Sequence, residues 1–169
     1  MLTSIEVFLL EWQSEFEITK KLFEEITNAS LTQKIAPHHF TLSQLAWHIT
    51  VSVHEILTAK QLEFESPGEE SECPQQATII LDAYKKVNSD MIHAMRSQWK
   101  DKNLDDVMNV YGLDWSNHQT LRMLINHQIH HRGQLTVLMR QAGLFVPGTY
   151  GPSREQWAQM GMNSPAFID

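Results

Sequence analysis

At 169 residues with 42% hydrophobic content, the chain has the size at which one domain around one core is the default. Its formal charge of -7, with the 13 Lys and Arg residues scattered rather than clustered, excludes duties that depend on neutralising phosphates and so argues against a nucleic-acid partner. No stretch reaches the roughly 18–20 consecutive apolar residues of a membrane span; the one cysteine, Cys73, can form no internal disulfide, and the N-terminus carries no basic segment leading into an apolar run, so the sequence reads as cytoplasmic.

In chain order, residues 2–29 place Ile5, Phe8, Leu9, Trp12, Phe16 and Phe23 at three- and four-residue steps, which predicts a first helix. Thr41 followed three residues later by Gln44 is a capping-box pattern and predicts a second helix over about 42–60. The segment Leu62 to Pro74 holds Glu63, Glu65, Glu69, Glu70 and Glu72 around Pro67 and Gly68 and reads as a solvated, solubilising loop. A third helix is predicted over about 75–100 from Ile80, Ala83, Val87, Met91, Ala94 and Met95. Residues 101–117, with Val107, Val110, Tyr111, Leu113 and Trp115, form a long crossover that packs on the helices and has room for a short extended piece. Ser116 with Gln119 caps a fourth helix that ends near Gly143. The tail from Phe145 to Asp169 is irregular except for a helical turn around Arg154 to Met160. The sum is an all-α chain, a four-helix bundle with a long crossover between helices three and four and an irregular C-terminal tail, in one domain over 1–169.

The nine histidines are sorted by position on the helices. At about 100° per residue, with Leu124 at zero, Leu135, Leu138 and Leu121 fall within about 60° of it. His131 lies about 20° and His127 about 60° from the same centre, so both are expected to point inward, while His130 lies about 120° away on the flank. On the second helix, with Leu45 at zero, His48 is about 60° off and borders the core, whereas His54 faces solvent. An inward histidine by itself is equally well read as a core residue bonded to a carbonyl. Three sharing one core are costly without a shared partner, and a divalent ion satisfies them together, the i, i+4 pair chelating as in the zinc-protease helix.

A di-iron bundle needs Glu-x-x-His on two helices; the nearest match is Asp90-Met-Ile-His93, so a mononuclear site is preferred. Three nitrogens leave a fourth position, which a structural zinc site would close, commonly with sulfur, and the only thiol sits in a loop. An open position lets the ion act as a Lewis acid on water or a thiol. Met91, Met95 and Met139 read as core fillers rather than metal ligands. Trp115, Tyr150 and Trp157 read as packing beneath the crossover, with an aromatic wall to the metal pocket as the other use. No Ser/His/Asp or Cys/His catalytic set has support.

With Leu-Ala-Trp-His48-Ile on helix two and His127-Gln-Ile-His-His131-Arg132-Gly133-Gln134 on helix four, most of the chain resembles the DinB/YfiT family of metal-binding four-helix bundles, distinct from the DNA polymerase of similar name. The stretch Val146-Pro-Gly-Thr-Tyr150-Gly-Pro-Ser153-Arg-Glu-Gln-Trp157 resembles that family's tail. The resemblance implies that His48, His127 and His131 hold zinc or nickel, and that the protein is a homodimer. It implies for Arg132 an ion pair, for Gly133 a close helix approach, and for Gln134 a hydrogen bond to a ligand. Two functions follow as expectations. One is a metal-dependent enzyme that activates a low-molecular-weight thiol or water against a small electrophile, of S-transferase or hydrolase type. The other is a non-catalytic metal-binding or stress-response dimer with a structural ion.

Overall fold

A computed structural model describes residues 3–110, 112–163 and 165–166. Leu2, where the first helix is expected to begin, Tyr111 of the crossover, and residues 164 and 167–169 of the tail lie outside the described residues. The described chain is mostly helical, with one small antiparallel sheet.

Helix α1 spans Ile5–Glu24, opened by the Ser4 hydroxyl, which accepts from the Val7 amide. It stops short of residue 29 because the Ser30 hydroxyl bonds both the amide and the carbonyl of Thr27, setting up a 3₁₀ turn at Asn28–Ser30. Helix α2, Leu42–Thr58, has the expected box: Thr41 Oγ1 accepts from the Gln44 amide and Gln44 Oε1 from the Thr41 amide. Helix α3 is Ala77–Gln98. The crossover folds into a 3₁₀ turn at Asp101–Asp105 and then a hairpin, β1 Val107–Val110 and β2 Leu113–Ser116, with Val107 opposite Ser116 and Val110 opposite Leu113. Gly112, at φ +81°, supplies the left-handed turn residue between them. Ser116 ends the hairpin and, with Gln119, caps helix α4, Asn117–Gln141, which stops before Gly143 at φ +73°. A short helix α5 covers Arg154–Gln159.

Helices α1 and α2 each pack against both α3 and α4. The apolar interior falls into two clusters. One gathers Phe8 and Trp12 with Leu57, Met91, Met95, Leu121 and Leu124. The other gathers Phe23 with Leu45, Ile49, Tyr84, Leu135 and Met139. Met91, Met95 and Met139 are thus core residues, as expected. Between the clusters, along α1 and α4, lie the buried polar residues Glu15, Thr19, Gln128 and Arg132.

Two expectations about the α2 region are corrected. His54 does not face solvent: it is half-buried, its Nε2 lies 3.2 Å from the Phe64 carbonyl and its ring stands edge-on to Phe64. The segment 62–74 is not merely a solubilising loop. Leu62 is fully buried, the Trp47 indole donates to the Glu69 carbonyl at 2.8 Å, and Glu70–Glu72 forms a 3₁₀ turn against α2. Two buried apolar or amphipathic anchors outweigh the repulsion among five solvated carboxylates.

Candidate metal centre

Where α2 crosses α4, His48 meets His127 and His131. Their three Nε2 atoms form a triangle, each 3.2 Å from the other two. Among the described residues, these three histidines form the group whose ligand atoms converge closely enough to hold a metal ion. The i, i+4 spacing stacks two imidazoles on one edge of α4, and the packing of α2 on α4 brings the third.

Two of the three outer nitrogens are occupied. His48 Nδ1 makes a short hydrogen bond to the Glu70 carboxylate, and His131 Nδ1 lies 2.8 Å from Gln134 Oε1. Carboxylate and amide oxygens accept, so both Nδ1 atoms carry the proton, and in a neutral ring that leaves Nε2 a bare lone pair. Burial, reinforced by the neighbouring His131 and His48, pulls the pKa of His127 down to about 4. Burial likewise lowers that of His131, against the hydrogen bond it donates to Gln134, which raises it. Even if His127 donates one N–H into the triangle, at least one pair of lone pairs stays face to face, an arrangement that a cation relieves. The size fits: a centre about 2.0–2.1 Å from each nitrogen, the zinc–imidazole distance, would subtend about 100° between nitrogens spaced 3.2 Å apart, close to tetrahedral.

Helix α4 corrects the wheel in one respect. Its buried residues run from Leu138 and Thr120 on one side through Leu124 and Gln128 to Arg132 and Ile125 on the other, so the core direction is rotated away from the histidines. His127 and His131 are half-buried at the edge of that arc rather than pointing into its middle. The displacement arises because Gln128 in the middle of the arc and Arg132 toward its far side are polar and so uncounted as core. His130 is exposed on the flank, as expected, with its ring edge-on to His131.

Arg132 does make the expected ion pair. Its Nη2 meets Glu15 Oε2, and its Nη1 donates at 3.1 Å to the Glu15 carbonyl and to Thr19 Oγ1. Gln134 does reach a histidine. Gly133 does not mediate a close helix approach: a Cβ there would have nothing within 4 Å, since the residue sits on the solvent side of α4. Tyr150 neither packs beneath the crossover nor walls the histidines. Its exposed ring lies over the Arg132 guanidinium and its hydroxyl bonds Arg132 and Glu15. The aromatic ring that does stack on the cluster is Phe40, 5.7 Å from the His48 ring and 23° from parallel. Glu70 and Phe40 both escape sequence reasoning, because they lie in loops with no periodicity to place them. Cys73 is half-buried, its thiol pKa raised by burial, and it is not part of the converging group.

Among the described residues, no helix is long and apolar enough to cross a membrane. The sequence profile of the DinB family matches residues 1–163. The uncharacterised protein YrdA of Bacillus subtilis (strain 168) is 40% identical over 165 residues, 98% of this chain and 99% of that one. A crystal structure of a DinB-like protein from Bacillus cereus ATCC 10987 superposes with a TM-score of 0.86 at 46% identity, covering 89% of this chain and all of that one. That of the DinB-like protein YjoA from Bacillus subtilis, 19% identical, shares the fold, with a TM-score of 0.63 over 80% of this chain and 92% of that one. On the profile match and the identity to these relatives together, the chain belongs to the DinB family.

Proposed function

We propose that this protein is a four-helix bundle that holds one divalent ion, zinc or nickel, on Nε2 of His48, His127 and His131, and that it is a metal-dependent enzyme acting on a small electrophile with a low-molecular-weight thiol or water, of S-transferase or hydrolase type. The observation that carries the reading is the Nε2 triangle, with the outer nitrogens of His48 and His131 occupied. A protein that fixes the tautomers of His48 and His131 through Glu70 and Gln134 has arranged lone pairs, not donors, to converge. Bound there, a divalent ion supplies Lewis acidity that lowers the pKa of a thiol or water.

The residues of this chain do the rest. Glu70 and Gln134 orient two imidazoles, and the low pKa of His127 keeps it neutral at physiological pH, so protons compete weakly for the site. Three protein ligands leave a position for an exchangeable group, the pattern of catalytic rather than structural zinc. Cys73 stands apart from the group, which leaves no thiol to close it. We further propose a cytoplasmic homodimer.

Elemental analysis of chelator-stripped and zinc-reloaded protein tests the metal. The expected result is one ion per chain in the parent and His130→Ala proteins and none retained after desalting in His131→Ala. Thiol consumption with a small alkylating electrophile then tests the chemistry: acceleration by the loaded parent and not by His131→Ala is expected. A tightly held ion with no acceleration for thiol or water would replace the enzyme with a structural metal site.

A further inference from the structure

Beside the histidines lies a cleft of about 310 Å³ lined by Ile35, His39, Phe40, Leu45, Gln134, Val137 and Leu138. Its walls are the supports of the proposed ligands. Gln134 is bonded to His131 Nδ1, and Phe40 is stacked on the His48 ring. Leu45 stands one helical turn before His48 on α2, while Gln134 and Leu138 stand one and two turns after His131 on α4, so the cleft lies along the same two helix faces as the ligands. Three of its residues are large apolar side chains left open to solvent: Ile35 is 56% exposed, Phe40 49% and Val137 46%. The loop carrying Ile35 and Phe40 is pinned at its base by the bridge between Lys34 and Thr41 and by the Leu42 amide donating to the Gln33 carbonyl at 2.9 Å, so the wall is built into the fold. Among the described residues, no carboxylate, lysine or arginine lines the cleft.

Resting on the metal-dependent reading above, we infer that this cleft is the substrate subsite of the histidine centre and takes an uncharged apolar group, an alkyl chain or a single aromatic ring, of the small molecule whose reacting atom meets the ion. The volume is at the small end for ligand pockets and suits one ring or a short chain rather than a protein segment. The lack of a carboxylate, lysine or arginine in the lining means that an ionic substituent would lose hydration with only the His39 imidazole and the Gln134 amide to replace it. Phe40 offers a ring face and Val137 and Leu138 aliphatic surface, so an apolar substituent gains by leaving water. The shared walls give the selectivity a route to the metal: a group seated between Phe40 and Gln134 contacts the residues that support His48 and His131.

The test uses the zinc-loaded full chain and two thiols of similar acidity, phenylmethanethiol and 2-mercaptoethanol, titrated by calorimetry, with zinc content measured on each sample. Parent protein is expected to bind the benzyl thiol about tenfold or more tightly than the hydroxyethyl thiol, the margin that burial of one ring supplies. Val137→Asp, at an exposed position, is expected to keep one zinc per chain and its affinity for 2-mercaptoethanol while losing most of the benzyl preference. Equal affinities of the two thiols in zinc-loaded parent would overturn the subsite and leave the metal reading standing. A Val137→Asp protein that keeps the benzyl preference but changes from dimer to monomer would make the cleft an interface between copies instead. Parent that retains no zinc would remove the metal reading itself, and the subsite with it.

Discussion

Helix α4 carries two polar constellations in adjacent positions, and they are opposite in kind. On one side Gln128 and Arg132 face α1 and α3: Arg132 is bonded by Glu15, Thr19 and Tyr150, and Gln128 Oε1 accepts from the Tyr84 hydroxyl. On the other side, one residue back along the chain in each case, His127 and His131 face α2, and their inner nitrogens meet only one another and His48. In the first set the Arg132–Glu15 pair is buried and bonded within the protein, while the Gln128 amide nitrogen lacks a partner among the described residues; the second set is half-open, its inner nitrogens converging on one another. A buried network satisfied internally serves the fold, whereas convergent unsatisfied lone pairs at a solvent edge serve a ligand.

The largest effect is expected where the buried pair is broken. Arg132→Met strands the Glu15 carboxylate in the interior and should cost about 3–5 kcal/mol in urea unfolding of the metal-free protein. Stability near the parent value would mean that Glu15 finds other solvation and that the network is not closed. His131→Ala should do the reverse, leaving metal-free stability nearly unchanged while zinc affinity falls by more than the roughly 100-fold ceiling of an outer-partner loss. Intermediate effects belong to Glu70→Ala and Gln134→Ala, each expected to weaken zinc binding about 10–100-fold with the metal-free fold intact. Competition titration against a chromophoric chelator reads all three.

The pH response separates the two sides again. The pKa of His127 in the fold, about 4, lies below the ordinary 6.5, so the folded metal-free protein holds that ring neutral where the unfolded chain protonates it. Stability from this group is fully present above about pH 6.5 and is lost as pH falls toward 4, with the unfolded state binding the extra proton. His127→Ala should flatten that limb of the urea-midpoint profile, and an unchanged slope would remove His127 from the account. The smallest effect is expected from Tyr150→Phe. It removes one hydroxyl from the rim of the Arg132–Glu15 pair and should cost about 1 kcal/mol without changing zinc affinity.

Much of this was legible in the sequence. The Thr41–Gln44 and Ser116–Gln119 boxes start α2 and α4 at the expected residues because capping is local chemistry, written in side chains three positions apart. The same periodicity selected His48, His127 and His131, the three that converge, and set His130 aside. Its error in depth has a physical cause: an apolar wheel cannot count Arg132 and Gln128 as core, so it turned the histidines too far inward. Glu70 and Phe40 were beyond reach for another reason. They approach His48 through loop folds fixed by distant anchors, among them Trp47 on the Glu69 carbonyl and Lys34 paired with Thr41. In the acidic loop, five glutamates look alike as letters, and only the packing of that loop singles out Glu70 as the partner of His48.

The central claim is that the open set closes on one ion, and X-ray absorption at the zinc edge of reloaded protein tests it most directly. Three imidazole nitrogens at about 2.0–2.1 Å with one further light, exchangeable scatterer is the predicted first shell. A sulfur scatterer at about 2.3 Å, which only Cys73 or a methionine could supply, or fewer than three imidazoles, would contradict it.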